Sequence, residues 1–113
     1  MKIPYIILAL AVLLSFSAFA DPVPYQSSVR IPDIERTDAQ EREAMLKVTK
    51  ISQAQAQTAA KKAVPHGKLI KTELENEDGN VVYEVEFLDN GVERTVIVDA
   101  GNGKILSNTV DDD

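Results

Sequence analysis

The side chains that most often perform chemistry at neutral pH are scarce in this chain of 113 residues. Its one histidine is His66, within Pro65-His66-Gly67, where proline and glycine mark a turn. No second histidine stands at the i, i+4 spacing of H-E-x-x-H, so His66 reads as an exposed titrating group and not as a metal ligand. There is no cysteine. Thiolate nucleophiles, thiolate metal sites and disulfide staples are thereby excluded. The serines lie outside any G-x-S-x-G context. Carboxylates are plentiful, and Glu73 with Glu75 and Glu84 with Glu86 have the i, i+2 spacing that puts both members on one face of a strand. A general acid needs a carboxyl in an apolar pocket that raises its pKa. An open acidic face gives solvated charges instead. No catalytic, cofactor-binding or metal-ligating residue is assigned on this basis, no cofactor is expected, and the chain does not read as an enzyme.

Two further segments imitate functional motifs. Asp99-Ala100-Gly101-Asn102-Gly103-Lys104 lacks the G-x-x-x-x-G-K-[ST] spacing of a phosphate loop, and it lacks the later oxygen ligands and terminal glutamate of a calcium loop. Its glycines read as a tightened turn. Asp111-Asp112-Asp113 reads as a solvated acidic tail.

The elements that must position these residues begin after a leader. Lys2, the apolar run Ile3 to Phe16 and the small residues of Ala18-Phe19-Ala20 have the layout of a secretory signal cut between Ala20 and Asp21. The run is shorter than the ~20 apolar residues of a spanning helix. The expected product is exported: periplasmic where an outer membrane exists, secreted otherwise, with no stable membrane insertion after cleavage. The formal net charge is −6, and removal of Lys2 makes the mature part more acidic still. Such a surface repels phosphate backbones and anionic lipid heads, so nucleic acid and membrane surfaces are poor partners.

Residues 21–36 carry Pro22, Pro24 and Pro32 and no helical spacing, and they read as an extended arm, a flexible leader rather than a strap lying on the domain or on a partner. Residues 37–50 form a short helix and connector. Thr37 with Gln40, or Asp38 with Glu41, has capping-box spacing, and Ala44, Met45 and Val48 give a narrow apolar stripe. A clearer helix follows Ser52, which has Gln55 three residues on; Ala56, Ala59, Ala60 and Ala63 share one face, and Pro65 and Gly67 end it. From Lys68 the period becomes two. Ile70, Thr72 and Leu74 alternate with Lys71, Glu73 and Glu75; after Asp78-Gly79, Val81, Tyr83, Val85 and Phe87 alternate with Val82, Glu84, Glu86 and Leu88. Asn90-Gly91 suits a tight hairpin; Val92, Val96 and Val98 share a face with Arg94, against Glu93, Thr95, Ile97 and Asp99 on the other, and Ile105-Leu106 begins a short last strand. The expected fold is α+β: one main helix packed on a small antiparallel sheet of three to four strands, preceded by the extended arm and the short helix.

The ordered set Ile51-Ser52-x-x-x-Ala56-x-x-x-Ala60, Val64-Pro65-x-Gly67, Asp78-Gly79, Val82-Tyr83-Glu84-Val85-Glu86 and Val98-Asp99-Ala100-x-x-Gly103-Lys104-Ile105 resembles the PepSY domain over Ile51 to Leu106, and the expected domain is 51–113 with its acidic tail. The resemblance implies a helix on an antiparallel sheet. It also implies a protein-binding or regulatory role, because such domains occur in propeptides of thermolysin-like proteases, as stand-alone extracytoplasmic proteins and in membrane-bound regulators. The expected partner is a protein, either an extracytoplasmic protease that the chain modulates or an envelope sensor to which it is a ligand-binding accessory. A small hydrolase ranks last for want of a constellation. Lys71, Glu73, Glu75, Glu84 and Glu86, on the outer side of the sheet, are the expected partner-binding residues.

Overall fold

The computed structural model describes residues 22–111. The expected signal sequence and the expected cleavage point after Ala20 lie outside the described residues, as do Asp112 and Asp113. In chain order the elements are α1 (Asp38–Val48), α2 (Gln53–Ala63), β1 (Lys68–Glu77), β2 (Asn80–Asp89), β3 (Val92–Asp99) and β4 (Ile105–Val110), with the strands in the sheet order β1-β2-β3-β4, all antiparallel.

Both helices start where local hydrogen bonding dictates. The Thr37 hydroxyl accepts from Gln40 N–H at 3.1 Å while the Gln40 side chain accepts from Thr37 N–H at 2.9 Å, and Ser52 and Gln55 repeat the exchange at 3.1 and 2.8 Å. Pro65 disfavours helical backbone at Val64, and α2 stops at Ala63. The chain then passes directly against the sheet at Gly67, where a Cβ would come within 2.6 Å of Val64 Cγ1 and 3.0 Å of Phe87 Cβ. The two hairpin turns have left-handed pairs, Asp78 (φ 55°) with Gly79 (φ 89°) and Asn90 (φ 54°) with Gly91 (φ 79°), the backbone that matches strand twist.

The fully enclosed Ala56 and Ala60 let α2 approach the sheet closely, over Val81, Tyr83, Val85, Phe87, Val96 and Val98, while Met45 is the buried anchor of α1. The Tyr83 hydroxyl donates to the Ile51 carbonyl at 3.1 Å, tying the helix connector to the sheet. Ala63, expected in the core, packs against it while only partly buried.

Three expectations are corrected. Ile70 does not keep its place in the alternation with Thr72 and Leu74. The register shifts between Leu69 and Lys71, so that Leu69 pairs with Phe87 and faces the helices while Ile70, the extra residue, is exposed. The arm is not a flexible leader. Val29 and Ile31 are buried, Ile31 N–H donates to the Gly79 carbonyl at 3.0 Å, and Val81 N–H donates to the Val29 carbonyl at 3.1 Å. The arm closes one end of the sheet because its β-branched residues complete the core there. The tail also departs from a purely solvated one, since the half-buried Asp111 accepts from the Thr95 hydroxyl at 2.6 Å.

Candidate functional site

The side of the sheet away from the helices gathers all five residues expected to meet a partner. Cross-strand pairing sets Lys71 opposite Glu86, Glu73 opposite Glu84 and Glu75 opposite Val82, and residues directly opposite one another point to the same face. Lys71 Nζ lies 3.7 Å from both a Glu73 and a Glu86 carboxylate oxygen. Pairs as exposed as these are each worth at most about 1 kcal/mol. They leave three carboxylates of this set in excess of one ammonium.

The face is less open than its alternation suggests. Val82 is fully enclosed and Ile97 is 8% exposed although both belong to this outer side, and Glu75, Glu84 and Glu86 are half-buried. Crowding changes their acidity. Burial, then a hydrogen bond and the charge of Glu77, then Glu75 and Glu73, push Glu84 up from 4.5 to about 7. Burial, with Glu73 and Glu77 next, also raises Glu75. Tyr25 of the arm reaches the same cluster: burial, followed by Glu77, Glu84 and Asp78, raises its phenol to about 12. Three overlapping triads, Glu73/Glu84/Glu86, Glu75/Glu77/Glu84 and Glu86/Glu93/Asp111, have carboxylate oxygens within 4.8 Å of one another. These are the groups that could hold a cation, and their all-oxygen chemistry is that of calcium or magnesium ligands. The cluster concentrates negative charge, an arrangement suited to recognising cationic groups.

A second feature had no reading in the sequence. Asp99, expected on the outer face beside a glycine turn, is 2% exposed, and its carboxylate accepts from Ser28 N–H (2.7 Å), the Ser28 hydroxyl (2.8 Å), the Ser27 hydroxyl (3.2 Å), Gly101 N–H (2.7 Å) and Asn102 N–H (3.2 Å). Burial alone would raise its pKa, but the Ser28, Gly101 and Asn102 donors outweigh this and hold the carboxyl below its ordinary value. Asp99 thus builds its own turn and fastens the arm. The D-x-G-N order is a local signal for the turn. Nothing local marks Ser27 and Ser28, over 70 residues away, as its other partners. Gly101 serves the same knot, since a Cβ there would collide with Ser28 Oγ and lie 2.8 Å from Val29 Cγ1.

The helix side of β1 carries two clefts. One, of about 500 Å³, lies between α2 and the start of β1 and is lined by Ala54, Thr58, Lys61, Leu69 and Phe87 among others. The other, of about 540 Å³, lies between α1 and the later part of β1, with Leu46, Leu74 and Tyr83 on its wall and Arg42, Glu73 and Glu75 also lining it. A 2.9 Å hydrogen bond from Gln57 Nε2 to Thr72 Oγ1 joins α2 to β1 at the residue between Leu69 and Leu74 on this face. His66 is exposed in the turn after α2, apart from the outer face.

Comparison with curated proteins and with solved structures gave no match. A family model, described as peptidase propeptide and YPEB domain, matches residues 50–109 and so takes in α2, β1, β2, β3 and nearly all of β4. Domains of this family are generally non-catalytic propeptide or regulatory domains, typically extracytoplasmic, and often interact with proteases or other proteins. No helix among the described residues is long and apolar enough to cross a membrane. With more than half of its length matched and the helix-on-sheet architecture in place, the chain belongs to the PepSY family.

Proposed function

We propose that this PepSY chain is exported by cleavage after Ala20 and modulates an extracytoplasmic protease by protein–protein contact, using the outer face of its sheet and an edge strand. The observation that carries the proposal is the family membership. The face adds physical content. Lys71, Glu73, Glu75, Glu84 and Glu86 form one contiguous patch of predominantly negative charge, and such charge on a binding surface governs which partner is accepted and how fast it arrives more than how tightly it is held. Half-buried carboxylates that resist ionisation would gain from a cationic partner, which lowers the cost of their charge.

The test is capture. The exported protein, immobilised, is exposed to an envelope or culture-fluid extract of its source, beside a chain with Glu84→Lys and Glu86→Lys whose circular dichroism matches the parent. Recovery of a protease by the parent and its loss with the reversed chain is the expected result. Equal recovery by both chains removes the outer face from the account. Recovery of a membrane sensor and no protease replaces the protease by the sensory role. N-terminal sequencing of the exported material should begin at Asp21, and a mature chain beginning at Met1 overturns the export route.

A further inference from the structure

The two edges of the sheet are unequal. β4 is six residues long, whereas β1 is ten, and both clefts described above run beside β1 and take no residue from β4. The second cleft is lined by Thr72 and Leu74, which face the helices, and by Glu73 and Glu75, which face the other way. Four successive residues of β1 thus border one open space that runs along the strand. Among the described residues no strand pairs with this edge of β1.

We infer that the edge of β1 is a strand-addition site for an extended segment of a partner protein in which apolar residues four apart alternate with basic ones. This rests on the protein-binding reading above and specifies its ligand. Main-chain hydrogen bonds would extend the sheet, and alternate side chains would be sorted to its two sides. On the helix side, Leu69, Thr72 and Leu74 succeed one another because the irregularity between Leu69 and Lys71 absorbs one residue. Leu69, 44% exposed, lines the first cleft, Leu74 lines the second, and Thr72, engaged by Gln57, lies between these two residues on the wall of the second cleft. Two steps of two residues separate the two leucines, a span of about 13 Å at the strand rise. The incoming segment therefore needs apolar side chains at i and i+4 and a small one at i+2.

On the outer side the same segment would lie beside Glu73 and Glu75, with Glu84 and Glu86 on the next strand, four carboxylates against the single Lys71. Charge complementarity calls for lysine or arginine at the intervening positions. A second copy of this acidic chain, or an acidic segment, is disfavoured by the same charges.

The experiment uses the purified exported protein and a fluorescein-labelled peptide of sequence Lys-Leu-Lys-Thr-Lys-Leu-Lys, read by fluorescence anisotropy. The controls are an isomer of the same composition with its leucines adjacent and a copy N-methylated at alternate backbone nitrogens. The alternating peptide should bind about tenfold or more tightly than either control, as main-chain pairing with sorted side chains requires. Leu69→Glu, at an exposed position, should weaken binding about tenfold, and Glu73→Lys should weaken it and flatten its salt dependence. Thr109→Lys on β4 should leave binding unchanged, with all variants checked by thermal melting. Equal binding of the rearranged isomer, or sensitivity to Thr109→Lys without sensitivity to Leu69→Glu, overturns the inference. If no peptide binds while protease capture still depends on Glu84 and Glu86, the β1 site falls and the protein-binding reading stands.

Discussion

Replacing Glu84 by glutamine isolates the electrostatic cost built into the outer face. The folded carboxyl titrates near 7 and not at its ordinary 4.5, with burial the largest cause and Glu77 the next. A raised carboxyl pKa means that the folded state holds a proton that the unfolded state releases. Its stabilising contribution is complete below about pH 4.5 and is lost as pH rises through about 7. At 1.36 kcal/mol per pKa unit the full penalty at pH 8 would be about 3.4 kcal/mol. Because Glu84 is only half-buried, solvent screening reduces this to about 1–2 kcal/mol. Glutamine keeps the shape and stays neutral. Urea denaturation should therefore show Glu84→Gln more stable than the parent by about 1–2 kcal/mol at pH 8, with the difference shrinking toward zero by pH 4.5. The variant should also capture less partner, since a destabilising charge retained on a surface is a common mark of a functional site. A difference that stays the same from pH 4.5 to pH 8 refutes the reasoning. It would mean that the carboxyl is not under the strain its surroundings imply.

Three other perturbations test the fold that holds this face. Asp99→Ala should cost about 3 kcal/mol or more in denaturation, because Ser27, Ser28, Gly101 and Asn102 all lose a buried charged acceptor, and trypsin should then cut the arm at Arg30 or Arg36. In the parent, the part of this stabilisation that depends on the Asp99 charge is present above the ordinary carboxyl range and is lost as pH falls through the lowered folded value. Gly101→Ala should destabilise by about 1–3 kcal/mol by pushing Ser28 and Val29 away, with protease sensitivity again rising in the arm. Phe87→Ala, at a side chain 1% exposed under α2, should cost about 3–5 kcal/mol, and a loss under about 1 kcal/mol would mean that the strand register is wrong by one residue.

What could be read in the sequence was local or periodic. Capping boxes at Thr37 and Ser52, the alanine face of α2 and the alternation from Val81 to Phe87 each depend on neighbours within four residues, and the structure places them as the spacing predicts. The family pattern added the order of these pieces. Long-range partnership was illegible. The arm carries ordinary turn and strand residues, and its attachment depends on Ser27 and Ser28 meeting a carboxylate across the whole fold. The irregularity that leaves Ile70 unpaired and exposed leaves no mark in a run of alternating residues that merely gains one member. The five outer-face residues were legible as a set because period two sorts them. Their acidity was not, because the rise at Glu84 depends on Glu77 and on burial that only the folded sheet creates.

The central claim is that this PepSY chain acts on an extracytoplasmic protease through the outer side of its sheet. Its most direct test is the hydrolysis rate of a chromogenic peptide by the captured protease, measured as the parent chain and the chain with Glu84→Lys and Glu86→Lys are titrated in separately. The account predicts a saturable change in rate with the parent and none with the reversed chain over the same concentrations. An unchanged rate with both, or the same change with both, contradicts it.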